Sequence, residues 1–298
     1  MRLPPSPLAA FRTSIGNVLR TGLSPEFDVA TLASVDAAAA AALRRRCREG
    51  KENGPTAGLA PGFAQANLVA VPKRHAFDFA RFCLLNPKPC PLLAVADAPD
   101  AVLPEAVARG ADLRRDLPRY RVWRDGVVVD EVEDASSAWT EDLTAFLLGC
   151  SFSWEPALAA AGHEPRHVTE GTNVAMYRTN VPNATAGPFG GTLVVSMRPY
   201  APEAVPAVAA LTSAYPAAHG GPVHWGDPKE LGIADLGAPD YGDAVPVRPG
   251  EVPVFWACGV TPQNALADAK LPLAITHAPG HMLVCDLPDE ALRVEAED

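Results

Sequence analysis

Apolar positions along the chain fall into short runs, many of them stopped by proline or glycine. Residues 7–20 place Leu8, Phe11, Ile15, Val18 and Leu19 on one face of a helix. Residues 35–47 form an alanine-rich helical stretch, with Asp36 near its start and Gly50 beyond its end. After a Gly/Pro-rich loop, Ala66–Pro72 reads as a buried strand. His75–Leu85 predicts a helix, and Pro91–Val95 a second strand. That strand–helix–strand succession predicts a parallel sheet covered by helices.

The pattern changes further on. Tyr120–Trp123 and Val127–Val129 flank Asp125-Gly126, a dipeptide suited to a tight hairpin. Trp139–Leu148 predicts a helix capped by Ser136 or Ser137 and ended by Gly149. A shorter helix covers about 154–161. Val174–Thr179 and Leu193–Met197 are predicted strands, separated by the glycine-containing loop Asn183–Gly191, and Glu203–Tyr215 is a predicted helix. Val252–Ala257, Ala274–Thr276 and Met282–Cys285 are short apolar strands, each meeting a polar or glycine-containing loop. The expected fold class is α/β, with a mixed, mainly parallel sheet covered by helices. The main domain spans 1–150 and 225–298, and a smaller α+β domain, 151–224, is inserted into it.

The chain has 298 residues, 48% of them apolar, enough for a sizeable core. A net charge of −10 repels a phosphate backbone and argues against nucleic-acid binding. The run Arg44-Arg45-Arg46 sits at a helix end, where cations complement the dipole. No segment approaches the ~18 consecutive apolar residues of a membrane span. Met1–Pro7 carries three prolines and no apolar core, so no secretory leader is expected. The six cysteines are scattered singly, which fits buried thiols in a reducing compartment. The expected location is therefore the cytoplasm. Oligomeric state is left open, a homo-oligomer included.

Candidate chemistry lies in four polar loops. Nucleotide-binding and nucleophile-elbow fingerprints are absent. In Thr276-His277-Ala278-Pro279-Gly280-His281, two imidazoles flank a turn at a strand end. Imidazole suits proton transfer near neutral pH. The same H-x-x-x-H spacing would suit a divalent metal, but no third ligand is evident, and no cofactor is expected. In His224-Trp225-Gly226-Asp227, a carboxylate stands near a third imidazole. Met176-Tyr177-Arg178-Thr179-Asn180 and Ser196-Met197-Arg198 offer guanidinium forks for a carboxylate. Cys258-Gly259-Val260-Thr261-Pro262-Gln263 follows an apolar strand, and its backbone N–H groups would suit an oxyanion. Cys258 itself reads as a buried structural thiol.

Together with Asn86-Pro87-Lys88-Pro89-Cys90-Pro91, Gly149-Cys150-Ser151-Phe152-Ser153 and Pro253–Gln263, these loops make the chain resemble the D-glutamate cyclase family over roughly residues 10–287. It departs at Asn183, where the family is associated with Cys. The resemblance implies a two-part α/β protein and an activity that removes water from a small acidic amino acid, D-glutamate, to give 5-oxo-D-proline. Roles are assigned on chemistry alone. His277 is the expected base, with His281 or His224 as acid partner. Arg178 or Arg198 clamps the α-carboxylate, and Thr276 contributes at the loop. Asn180, Thr261 and the Gly259 N–H meet the oxyanion. Two rivals stand beside this reading. One is dehydration of another hydroxy or amino acid, and the other is a carboxylate-binding protein without turnover.

Overall fold

The computed structural model describes residues 3–14, 37–97 and 103–294. The predicted helix at 7–20 is present as α1 (Leu8–Ser14), and its remainder lies outside the described residues. Next comes α2 (Ala38–Arg48). Its Arg44 is not a surface charge. It is 2% exposed and donates to the Val284 carbonyl at 2.8 Å and to Asp286, pinning the helix against the sheet.

A seven-stranded sheet is built from β1 (Phe63–Pro72), β2 (Leu92–Asp97), β3 (Tyr120–Arg124), β4 (Val127–Val132), β5 (Leu143–Gly149), β10 (Ala274–His277) and β11 (Leu283–Pro288). A four-stranded sheet has the order β6–β7–β9–β8, with β6 at Ala175–Pro182, β7 at Thr192–Tyr200, β8 at His224–Trp225 and β9 at Val252–Ala257. Every strand pairing is antiparallel.

The expectation of a mainly parallel sheet is therefore corrected, and the cause can be located. The helix α3 (Lys73–Leu85) does cross over between β1 and β2, which run the same way. The two strands are not neighbours, because β5 lies between them and is antiparallel to both. β5 is the segment whose apolar run predicted a helix. All seven of its residues are buried, so it lacks the alternation that marks a half-exposed strand. Misreading that one strand converts an antiparallel sheet into a parallel one. The hairpin at Asp125-Gly126 forms as expected. Both residues have positive φ, 49° and 83°, which matches the twist of the flanking strands.

Packing follows the strand alternation. In β1, Ala64, Ala66, Leu68 and Ala70 face one core, shared with Val254 and Trp256 of β9. Val69 and Val71 face a second core, formed with Phe79 and Phe82 of α3 and Phe146 of β5. Gly149 closes β5 where a Cβ would lie 1.7 Å from the Ala217 carbonyl oxygen, so no larger residue fits. Within the four-stranded sheet, Phe255 and Ala257 turn away from the first core into a third.

The second edge of β1 is divided between two partners. Gln65 and Ala66 pair with β11, while Val69 and Ala70 pair with β10. The loop from β10 to β11 thus sits at a fork in the sheet, and it is the loop that carries His277 and His281. A helix not anticipated from sequence, α8 (Thr261–Ala269), starts inside the Cys258–Gln263 motif and packs beside this fork. The remaining α-helices among the described residues are α4 (Glu105–Ala108), α5 (Glu155–Ala160), α6 (Arg166–Glu170) and α7 (Val205–Ser213).

Candidate active site at the fork of the large sheet

His277 ends β10 with its imidazole fully buried. Its Nδ1 lies 3.1 Å from the Leu68 carbonyl of β1. A carbonyl only accepts, so Nδ1 carries the proton and Nε2 carries the lone pair. Nε2 is enclosed and has no hydrogen-bond partner. Burial pushes the His277 pKa down to about 4, and the nearby Arg121 and His281 act in the same direction. At neutral pH the ring is an uncharged acceptor.

The loop beyond His277 is held from several sides. Thr56 N–H donates to the Gly280 carbonyl at 2.8 Å, and Met282 N–H donates to the Thr56 hydroxyl at 3.1 Å. Asn173 Nδ2 donates to the Pro279 carbonyl at 3.0 Å. The Asn173 amide also fills the space where a Cβ on Gly280 would be, 2.3 Å away, and Gly280 has φ 84°. Glycine is required there on both counts. His281 is partly exposed and donates from Nδ1 to the Pro279 carbonyl at 3.0 Å. Its pKa is lowered by burial and by Arg119.

The first turn of α8 connects His277 to the surface. Gln263 Nε2 donates to the His277 carbonyl at 3.0 Å, and its Oε1 accepts from Arg121 at 3.4 Å. The next residue, Asn264, accepts from the Tyr241 hydroxyl at 3.1 Å. That hydroxyl in turn accepts from Arg178 Nε at 3.1 Å and Nη2 at 2.8 Å. The guanidinium carbons of Arg178 and Arg121 lie 5.5 and 5.8 Å from the Tyr241 ring centroid. Two cations thus meet at one phenol in a protein of net charge −10. Arg178 is exposed, and its side chain bonds to a neutral hydroxyl. It is therefore free to exchange that bond for a carboxylate.

Most of the other sequence-derived candidates are placed elsewhere or are already engaged. His224 lies in the smaller sheet. Its Nε2 donates to the Asp227 carbonyl at 2.9 Å, and its Nδ1 accepts from the Ser6 hydroxyl at 2.7 Å. Asn180 is exposed, accepts from Arg12 at 3.0 Å and faces the Glu230 carbonyl. Arg198 is fully buried and bound to Glu155, Ser151 and Ser196. The Thr261 hydroxyl donates to the Cys258 carbonyl at 2.7 Å and accepts from Val194 N–H at 3.0 Å, tying α8 to β9 and β7. The Thr276 hydroxyl accepts from the Trp123 indole at 3.0 Å. Gly259 packs directly on the Asn67 amide, leaving no room for a Cβ. Burial raises the Cys258 thiol to about 11 and holds it protonated. Asn183, the departure from the family pattern, donates to the Gly190 carbonyl within its own loop.

Sequence reasoning missed Arg121, Tyr241 and Asn264. Gln263 stood in a singled-out motif, but its role depends on the helix that the motif starts. Arg121 is adjacent to Thr276 in the β3–β10 register, so only strand pairing reveals it. Among the described residues, no group of three or more His, Cys, Asp and Glu side chains gathers as a metal-holding set, and no helix is long and apolar enough to cross a membrane.

Burial of neutral imidazoles has a consequence for acid stability. His219, like His277, is fully enclosed and pushed down to about 4 by burial. An unfolded chain protonates both near 6.5, whereas the folded chain resists until about 4. Their contribution is complete above pH 6.5 and is lost as pH falls from 6.5 towards 4. Urea midpoints measured across that window are expected to fall with acidification, and His219→Gln is expected to flatten the fall. An unchanged slope in the variant would show that His219 titrates normally.

Comparison with known proteins places these features in context. A family model described as D-glutamate cyclase matches residues 144–286, a span that includes His277, His281 and the loop between them, and the strand that carries Tyr177 and Arg178. A protein of Rubrobacter xylanophilus is 58% identical over 255 residues, covering 86% of this chain and 98% of its own length. Proteins of Jannaschia sp. and Bacillus subtilis are each 54% identical over 252 residues, covering 85% of this chain and 94% and 98% of their own lengths. All three carry the name "Putative hydro-lyase".

Proposed function

Because the chain belongs to the D-glutamate cyclase family, whose relatives carry a hydro-lyase name, we propose that it removes water from D-glutamate to form 5-oxo-D-proline at the fork of the large sheet. One observation supports placing the chemistry there. His277 has its tautomer fixed by a main-chain carbonyl and presents an unpartnered, uncharged Nε2.

The reaction is a proton relay around one new bond. The ammonium loses a proton, its nitrogen attacks the γ-carboxyl carbon, and one carboxyl oxygen departs. Of the three ammonium protons, one stays on the lactam nitrogen. The other two leave with that oxygen as water. His277 Nε2 takes the first proton and returns it to the departing oxygen, with His281 on the same loop as the acid partner. Arg178 releases Tyr241 to hold the α-carboxylate, and the second cation, Arg121, adds to the field. The Gly259 N–H meets the oxyanion. A carboxylate arriving beside His277 raises its proton affinity from its burial-depressed value, which improves it as a base. Nε2 is enclosed, so the substrate has to open the surrounding packing to reach it.

The test uses purified protein with D-glutamate and with L-glutamate, each with and without added divalent metal. Chiral chromatography is expected to find 5-oxo-D-proline from the D isomer. No product from D-glutamate in either condition overturns the substrate. Turnover of another hydroxy or amino acid in its place identifies the dehydratase rival.

A further inference from the structure

The motif Asn86-Pro87-Lys88-Pro89-Cys90-Pro91 is not used by the proton chemistry proposed for His277. It connects α3 to β2 and is tied down at both ends. Asn86 Nδ2 donates to the Phe82 carbonyl at 2.8 Å and the Ala184 carbonyl at 2.9 Å, and its Oδ1 accepts from Ala184 N–H at 2.9 Å. The Pro91 carbonyl accepts from Gly149 N–H at 2.8 Å, at the end of β5. Three prolines restrict the backbone between those anchors.

Against this loop lies a single turn of 3-10 helix, Pro216–Ala218, that ends in His219. His219 is buried and has φ 76°, an uncommon conformation for a residue other than glycine. Its ring joins the two segments, because Nδ1 donates to the Lys88 carbonyl at 2.8 Å. Gly220 follows with φ 63°, and a Cβ on it would lie 3.3 Å from Lys88 Nζ. The ammonium therefore rests against the 219–220 turn, where a glycine leaves it room. Lys88 is half-buried, and among the described residues its Nζ makes no hydrogen bond and no ion pair. Unlike the Nε2 of His277, it is not enclosed. The chain holds 35 acidic side chains against 25 Lys and Arg, yet none of the described ones meets this cation. Burial alone pushes its pKa down to about 8. The titratable group beside it, His219, is itself pushed down to about 4 and is uncharged at neutral pH.

We propose that Lys88 anchors a binding site for a small carboxylate at the junction of the 86–91 loop and the 219–220 turn, with its ammonium donating to the carboxylate oxygens. A half-buried cation without an acid partner costs free energy that an arriving anion recovers. The charge selects the class of anion. One cation beside an uncharged imidazole balances one negative charge, which suits a carboxylate better than a phosphate dianion. An ammonium on a flexible stem is a point charge, so it sets no bidentate geometry on the ligand. Partial shielding from water makes the pair stronger than one on the open surface. The site does not rest on the reaction proposed for His277.

The experiment is labelling of the full chain with an uncharged N-hydroxysuccinimide ester near the Lys88 midpoint, about pH 8, read by mass spectrometry of the Lys88 peptide. Only the neutral amine reacts, so an anion that favours the ammonium slows the label. Acetate is titrated in at an ionic strength held constant with chloride. At saturation it is expected to slow Lys88 about fivefold, the effect of raising its pKa by about one unit, while the exposed Lys51 and Lys270 keep their rates. Equal slowing of all three lysines would mark a general salt effect and overturn the site. Stronger protection by inorganic phosphate than by acetate would overturn the carboxylate class, and no protection by either would end the proposal. Lys88→Met gives a second readout. It removes an unpaired charge, so its thermal midpoint is expected to be no lower than the parent's. Acetate is expected to raise the midpoint of the parent and to leave that of the variant unchanged. An equal rise in both proteins would place the binding elsewhere.

Discussion

His277→Gln is expected to lower kcat/KM for 5-oxoproline formation by about 10²–10⁴, the usual contribution of a positioned general base. Glutamine keeps a hydrogen-bonding side chain near the Leu68 carbonyl but cannot carry a proton between nitrogen and oxygen. On the proposed mechanism the loss falls on kcat, while KM, there assigned to Arg178, changes little. Arg178→Leu is the converse control. It removes an exposed cation whose side-chain hydrogen bonds among the described residues go to Tyr241, so KM is expected to rise with little effect on folding. Equal activity of His277→Gln and the parent, with matching thermal midpoints, would move the base elsewhere.

The second large effect concerns stability. Arg198 is fully buried between the rings of Trp154 and Trp256, with its guanidinium carbon 4.6 and 5.4 Å from their centroids. Its one carboxylate partner is Glu155. Glu155→Ala strands a guanidinium in the core and is expected to cost about 3–5 kcal/mol, read as a lower urea midpoint by tryptophan fluorescence. Replacing both partners together, Glu155→Leu with Arg198→Met, removes the charge and its desolvation in one step. The double variant is expected to be markedly more stable than the single one. A single variant that loses less than about 1 kcal/mol would show that water reaches the guanidinium.

Many individual elements were readable from the chain, but the antiparallel arrangement of the sheets was not. Val252–Ala257, Ala274–Thr276 and the Asp125-Gly126 hairpin were legible because each apolar run is short and ends at a residue of restricted or special backbone conformation. Leu143–Gly149 was not legible, since a strand buried on both faces has no period of two to show. The site divided along similar lines. His277 stood out as a residue type at a strand end, and the structure gives it an unpartnered nitrogen. Arg198 stood out for the same kind of reason, but residue type does not reveal that Glu155 already occupies it. Tyr241 and Asn264 joined the picture only through tertiary contacts, and no local pattern marks them.

The divided edge of β1 has a kinetic consequence. β1 is synthesised near residue 70, but both partners on its second side lie beyond residue 273. At about 5–20 residues per second, roughly 10–40 s of translation separate them. During that interval a strongly apolar strand waits with one edge open, which is the configuration that favours association with other chains. Closure of the large sheet is therefore a late event governed by long sequence separation, and it belongs to the slow end of folding for a domain of this size. The histidine loop is completed by the same closure, so a nascent chain does not set His277 against the Leu68 carbonyl until the fork has formed.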